Sequence, residues 1–319
     1  MTSASIDRSS EERRPLPAAN RIGALRVALI GYGEVGGIFG AALAFAGAGA
    51  VTAFDVLMED PSWASSARDR ASRDGVALAS TAAGAIEHCA LVISAVTAAQ
   101  TTTAAEQIAR VCARGTFVLD VNSASPRTKT ACAEVVDRTG GRYVEAAVMS
   151  SVPPHGIRVP MLLGGPHAAA LQPTLARLGF AATVGSESYG VVSAIKLCRS
   201  VIVKGMEALA IESLLTARRY GVEREVLASL AETFPGLDWE RQPTWFWRRV
   251  VQHGRRRAEE MREAAVTVRD VGIEPRMASA TADLQAWVTM LRADGVFAGV
   301  GSDASWRDFA DCVKRASDA

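Results

Sequence analysis

The sequence predicts an α/β domain built on an open, mostly parallel sheet, followed by an all-α C-terminal domain. Three observations carry this expectation. Short apolar runs alternate with alanine-rich helical stretches from residue 25 to about residue 189, the pattern of consecutive βαβ units. The first run is apolar almost throughout, as strands covered on both faces are. Beyond Gly190 the strand signals stop and long helical periodicity takes over. At 319 residues the chain also exceeds what one hydrophobic core usually serves, so two domains are expected.

The elements follow in order. Leu25-Arg26-Val27-Ala28-Leu29-Ile30 reads as a buried strand. A glycine turn, a helix over 35–46 and a second strand, Val51-Thr52-Ala53-Phe54, complete a βαβ unit. Further strands are expected at 91–96 and 116–121 with a helix over 102–112 between them, and weaker strand signals fall at 143–146 and 161–163. Residues 191–220 read as one long helix interrupted only by Gly205, joining the two domains. Helices over 224–233, 244–271 and 278–291 come next, punctuated by Pro235-Gly236 and by residues 272–275. Residues 1–24 are rich in Ser, Arg, Glu and Pro and lack an apolar h-region, so they read as a disordered tail and not a secretory signal. The expected division is a sheet domain over 25–189 and a helical domain, for substrate and dimerisation, over 190–319.

Bulk properties exclude several classes. Thirty-five basic residues balance 34 acidic ones, net +1, which gives no electrostatic ground for a nucleic-acid partner. Arg255-Arg256-Arg257, followed by Glu259-Glu260, reads as a solvated helix face. No uninterrupted apolar run reaches the roughly 18 residues of a membrane span. The five cysteines include no CxxC pair and the four histidines no HExxH spacing, so neither disulfides nor a metal are expected and a reducing, cytoplasmic setting is.

The glycine turn is the most informative motif. Gly31-Tyr32-Gly33-Glu34-Val35-Gly36 fits G-x-G-x-x-G between a strand and a helix, with Asp55 at the end of the second strand. That context marks a dinucleotide-binding Rossmann domain. Gly31 permits the tight turn, Gly33 lets backbone approach a pyrophosphate, and Gly36 lets helix pack on strand; the phosphates meet free N–H groups at the helix start. Val96 and Thr97, ending the 91–96 strand, are expected beside the same cofactor. A carboxylate at Asp55 hydrogen-bonds ribose hydroxyls and repels a 2′-phosphate, so NAD is expected over NADP.

Lys196 stands in an otherwise apolar stretch of the 191–220 helix. Burial there would lower its pKa and suit it to acid–base work near neutrality. The helical pattern alone equally accommodates a snorkelling lysine with its ammonium in water.

From about residue 25 to 205 the chain resembles the β-hydroxyacid dehydrogenases, relatives of 6-phosphogluconate and 3-hydroxyisobutyrate dehydrogenases. The resemblance rests on the glycine turn; on Asp120-Val121-Asn122-Ser123-Ala124-Ser125-Pro126, similar to the family's Asp-x-Ser-Thr-x-x-Pro segment; on residues 145–151, similar to its Asp-Ala-Pro-Val-Ser-Gly-Gly loop; on Met161-Leu162-Leu163-Gly164-Gly165; and on Gly190 followed by Lys196. It implies that Lys196 takes the proton from a substrate hydroxyl while hydride leaves for the nicotinamide. It also implies that Asn122, Ser123 and backbone groups of Ser150 and Ser151 hold a substrate carboxylate. The family's Asn three or four residues after the lysine is replaced by Arg199 and Ser200. Arg199 is thereby a candidate carboxylate or phosphate clamp, or else a salt-bridge partner. A later Lys-Asp pair is replaced by Glu259-Glu260.

Residues 213–288 resemble a smaller branch of phosphogluconate dehydrogenase-like proteins with its own C-terminal domain. The carrying residues are 217–222, Phe234-Pro235-Gly236 and 253–263. The implied activity is a dehydrogenase or reductase for a small 3-hydroxy acid or its oxo form, acting as a homodimer through the C-terminal helices. Imine reduction on the same scaffold and a non-catalytic NAD sensor are the competing readings. Trp239, Trp245 and Trp247 are expected in ordinary packing before any pocket or interface role.

Overall fold

The computed structural model describes residues 25–318; the expected tail at residues 1–24 lies outside them. β1 (Arg26–Ile30), α1 (Glu34–Phe45) and β2 (Ala50–Phe54) form the anticipated βαβ unit. α2 (Pro61–Asp74), β3 (Ala77–Leu78), α3 (Ala82–Ile86), β4 (Leu91–Ser94), α4 (Thr101–Val111), β5 (Phe117–Asp120), α5 (Pro126–Arg138) and β6 (Arg142–Val148) follow. β7 (Met161–Gly164), α6 (Ala168–Arg177) and β8 (Ala182–Ser186) complete one eight-stranded sheet in the order β3-β2-β1-β4-β5-β6-β7-β8. Pairing is parallel except between β6 and β7, so the last two strands run against the rest.

The chain winds outward from β1 to β3, then returns to place β4 on the other side of β1. This reversal opens a crevice at the carboxyl ends of β1 and β4, where doubly wound sheets take their ligands. Both faces of the sheet are covered. Leu29, Phe39, Leu43 and Leu171 belong to one core and Ile86, Ile108, Val118 and Tyr143 to the other, which explains the nearly unbroken apolar strands.

β3, β8 and several helices give no clear signal in the pattern of apolar residues. β3 has two residues, and β8 is largely exposed at the sheet edge, so neither carries the alternation of a half-buried strand. α5 had a readable start. Ser125 caps it, its hydroxyl accepting from Thr128 N, and Pro126 occupies the first turn, a favoured pairing of N-cap and N1 residues.

After Gly190, whose φ of 86° suits a residue without Cβ, the chain is helical. α7 (Val191–Tyr220), α8 (Glu223–Thr233), α9 (Gln242–Asp270), α10 (Arg276–Ala293) and α11 (Trp306–Asp318) follow. Their core gathers Trp247, Trp306, Phe297 and Phe309, with Trp247 stacked on Phe309 at 5.7 Å. Trp247 is therefore a packing residue. Trp239 lies against Phe234, while Trp245 is half exposed beneath the Arg249 guanidinium, 4.2 Å from the ring centre. Among the described residues no helix is long and apolar enough to cross a membrane.

α7 and α9 pack side by side, and buried charges join them. Lys204 donates to Glu260 at 2.5 Å, and Arg257 pairs with Glu207. Arg249 and Arg256 add longer contacts to the same two acids, at 3.5 and 3.6 Å. This corrects one expectation. Arg257 is 3 % exposed, so only Arg255 and Arg256 of the basic run face solvent, because α7 covers the third. α9 also packs against the Ala98–Gln100 turn that follows β4, which brings the helical region to the rim of the sheet crevice.

Candidate active site at the carboxyl end of the sheet

The glycine turn separates what the protein needs from what a ligand needs. Gly31 has φ +96°, and a Cβ there would meet Ala95 O at 2.4 Å. A Cβ on Gly36 would meet Gly31 O at 2.1 Å. Both glycines are therefore required by the packing of β1, β4 and α1. A Cβ on Gly33 would meet nothing within 4 Å, so that glycine faces open space above the first turn of α1. No side chain caps α1 there, and its first N–H groups remain available to an anion. The residues present fit a dinucleotide pyrophosphate.

Asp55 ends β2 as expected. Its Oδ2 accepts from Tyr32 N at 2.7 Å and its Oδ1 from Leu57 N at 3.0 Å. The carboxylate thus locks the turn to the end of β2, and each oxygen keeps a lone pair for a ribose hydroxyl. Tyr32 takes part through its backbone alone, because its ring is fully buried in the core. Arg70 from α2, a residue the motif does not reveal, donates to Tyr32 O at 2.6 Å and stacks over the Tyr32 ring. Glu34 and Thr97 are exposed and Val35 and Val96 partly so, all around the same crevice.

Asn122 is buried, and its amide works inside the protein. Oδ1 accepts from Val96 N at 2.7 Å and Nδ2 donates to Ser94 Oγ at 3.0 Å. It ties the ends of β4 and β5 together, so its place is behind the cleft and not in it. Asp120, at the end of β5, accepts from buried Lys129 at 2.8 Å and from Tyr143 at 2.5 Å. Removing one partner of so buried a pair typically costs about 3–5 kcal/mol.

Ser123 is where the two halves of the chain meet. Lys196 Nζ donates to Ser123 Oγ at 2.6 Å. Protein surrounds the lysine, and its pKa is lowered to about 8, first by that burial and then by Lys204, Lys129 and Arg256, against the opposing pull of Glu260. Glu260 itself stays ionised: although burial raises its pKa, Lys204, Arg256 and Lys196 together hold it well below the ordinary carboxylate range. Lys204, two turns beyond Lys196, is engaged in that ion pair.

Two positioning groups have no motif. Glu145 Oε1 accepts from Gly190 N at 2.8 Å, fixing the start of α7 and hence Lys196. A Cβ on Gly164 would lie 2.5 Å from that same oxygen, which accounts for the glycine on β7. Glu263 of α9 accepts from Ser125 N at 2.6 Å and from Thr128 Oγ1 at 3.2 Å, holding the 120–125 segment that presents Ser123. Both contacts join residues far apart in sequence, so local spacing carries no trace of them.

The remaining expected residues are less closely gathered. Ser150 and Ser151 lie in the exposed loop after β6, where Ser150 Oγ is 3.2 Å from His155 Nε2. Arg199 is exposed one turn beyond Lys196, and Ser200 is buried on α7. Among the described residues Arg199 forms no ion pair, and no group of His, Cys, Asp and Glu could hold a metal ion.

With fold and site described, the class is a Rossmann-type NAD(P)-binding protein with an appended helical domain. Residues 26–183 match the family described as the NAD binding domain of 6-phosphogluconate dehydrogenase, and residues 217–288 match a domain of unknown function, DUF1932. A conserved hypothetical protein from Sinorhizobium meliloti is 33 % identical, with 94 % of this chain and 99 % of that one covered at a TM-score of 0.71. A conserved protein of unknown function, described as structurally similar to 3-hydroxyacid dehydrogenases, is 32 % identical over 85 % and 99 % of the two chains, at a TM-score of 0.63. At 16 % identity, 3-hydroxyisobutyrate dehydrogenase from Mycobacterium tuberculosis shares the fold over 92 % of this chain and 99 % of its own, at a TM-score of 0.65. The chain belongs to the 6-phosphogluconate dehydrogenase-like family of NAD(P)-binding, 3-hydroxyacid dehydrogenase-like proteins, in the branch whose C-terminal domain is DUF1932.

The roles of the two glycines are separable by substitution. Gly36→Ala is expected to destabilise the protein by about 1–3 kcal/mol or more, from a backbone clash that cannot relax cheaply. Gly33→Ala is expected to melt like the wild type but bind NADH at least tenfold more weakly. Wild-type NADH affinity in Gly33→Ala, by fluorescence titration, would show that no ligand backbone passes there.

Proposed function

We propose that the protein is a nicotinamide-dependent oxidoreductase that interconverts a small 3-hydroxy acid and its oxo form, with Lys196 as the general acid–base. The observation that carries this is the Lys196–Ser123 contact, which puts a lysine of depressed pKa at the mouth of the dinucleotide crevice. A bound nicotinamide supplies the hydride acceptor or donor. Ser123 Oγ orients the lysine, and its hydroxyl is placed to meet the substrate's oxygen or carboxylate. In the oxidative direction the neutral amine of Lys196 accepts the hydroxyl proton; in the reductive direction its ammonium returns a proton to the carbonyl oxygen. Backbone groups of Ser150 and Ser151 and the guanidinium of Arg199 are the proposed carboxylate contacts, with Ser200 lining the pocket wall. Imine reduction and a purely NAD-sensing role are both less favoured, because neither accounts for a lysine held on a serine at this point.

NAD is the proposed cofactor in preference to NADP. Asp55 has no arginine next to it, and Glu59 and Asp60 add negative charge to the region that would receive a 2′-phosphate. The proposed assembly is a homodimer through α7. Val191, Ile195, Ile202 and Leu209 are exposed along one charge-free stripe of that helix, and an apolar stripe running much of a helix about 45 Å long exceeds what a monomer normally leaves in water. A second copy presents the same stripe and covers it by two-fold symmetry.

Three measurements test these proposals. Lys196→Ala is expected to lose about 10²–10⁴-fold in turnover while still binding NADH; a mutant retaining most of its activity would refute the assignment. In the wild type, kcat/KM for oxidation should rise with pH and level off above about 8, as the amine loses its proton, whereas reduction should decline above the same pH. NADH should bind more tightly than NADPH, tighter NADPH binding being the contrary result. Light scattering at micromolar concentration should give twice the chain mass, and a monomer mass would remove the α7 interface.

A further inference from the structure

The seam between α7 and α9 holds more positive charge than it neutralises. Its two buried acids each have one close cation: Lys204 for Glu260, at 2.5 Å, and Arg257 for Glu207. Arg256 and Arg249 reach the same carboxylates only at 3.6 and 3.5 Å. Once the close pairs are matched, Lys196, Arg199, Arg249 and Arg256 remain without a carboxylate of their own. Arg249, Arg256, Glu260 and Glu263 recur at helical spacing and share one side of α9. Glu263 touches the Ser123 segment at one end of that side, and Arg249 is backed by Trp245 at the other.

The surplus is felt within the protein. Arg249 has a lowered pKa, first from burial and then from Arg256 and Arg199, and Arg256 also pushes down Lys196. Like charges gathered without a counter-ion destabilise a fold unless a ligand neutralises them. Arg256 and Arg199 are exposed, and Arg249 is held flat against Trp245, so all three keep guanidinium donors available. Planar guanidinium groups are suited to two-point binding of carboxylate or phosphate.

Resting on the oxidoreductase reading, we propose that the substrate carries a second anionic group besides the carboxylate next to Ser123, and that Arg249 and Arg256 of α9, with Arg199 of α7, receive it. A simple hydroxy acid brings one negative charge to this face; a dicarboxylate or a phosphorylated hydroxy acid brings enough to balance it. The cations belong to two different helices of the C-terminal domain, so substrate class is set by that domain while the hydride chemistry stays with the sheet.

The test compares three probes on the protein saturated with nicotinamide cofactor: 3-hydroxyisobutyrate with one anionic group, 3-hydroxyglutarate with a second carboxylate, and 6-phosphogluconate with a phosphate. Calorimetric Kd and steady-state kcat/KM are both measured, on wild type, Arg256→Gln, Arg256→Lys and Arg199→Gln. At least one dianionic probe should bind tenfold or more tightly than the monoanion. That ratio should fall toward one in Arg256→Gln and Arg199→Gln and recover in part in Arg256→Lys. Which dianion is preferred identifies carboxylate or phosphate as the second group. Equal binding of all three probes by the wild type would overturn the inference. So would a loss of NADH affinity in Arg256→Gln matching the loss for the dianion, which would assign the cations to the cofactor phosphates. Preferential dianion binding without turnover would uphold the anion site and count against the dehydrogenase reading instead.

Discussion

The antiparallel seam between α7 and α9 is the constraint on which the rest of the site depends. Two carboxylates, Glu207 and Glu260, are buried there with Arg257 and Lys204. Buried ions are costly to hold, and breaking such a pair is costlier than never having made it. The seam therefore fixes the relative position of the two helices. One of them carries Lys196, and the other carries Glu263 to the loop that carries Ser123. Lys196 meets Ser123 because both helices are pinned, although the two residues are 73 positions apart.

The seam also sets the chemistry available to the lysine. Enclosure disfavours the ammonium, and nearby Lys204, Lys129 and Arg256 disfavour it further; Glu260 alone opposes them. An amine with pKa about 8 can both take and give a proton near neutrality, which an ordinary lysine cannot do efficiently. Positive charge that tunes Lys196 is thus also charge that can attract an anionic substrate, and the same residues serve both ends.

The sheet supplies the other half by simpler means. Its topology reverses between β1 and β4, and that crevice is bordered by Gly31, Gly33 and Gly36 on one side and by the Asn122-tied loops on the other. Gly31 and Gly36 keep the turn tight, while Gly33 keeps it open. Asn122 shows how a motif position can be structurally vital without facing the ligand: its amide is used up in joining two strand ends.

Much of this was legible before any coordinates. Hydrophobic periodicity identified β1, α1, β2, β4, β5 and the full span of α7, since those elements are buried on both faces or carry long regular patterns. The glycine spacing and Asp55 identified the dinucleotide turn, because that geometry tolerates few residues. Lys196 was visible as a charge in an apolar helix. The sequence could not decide between a snorkelling and an enclosed lysine, since that depends on what packs over it. α9 does so, 64 positions later at Glu260. For the same reason Glu145, Glu263, Arg249 and the burial of Arg257 were hidden: each acquires its role from a partner on another element. Local steric rules and periodicity are written along the chain, whereas desolvation and charge pairing exist only once distant segments are brought together.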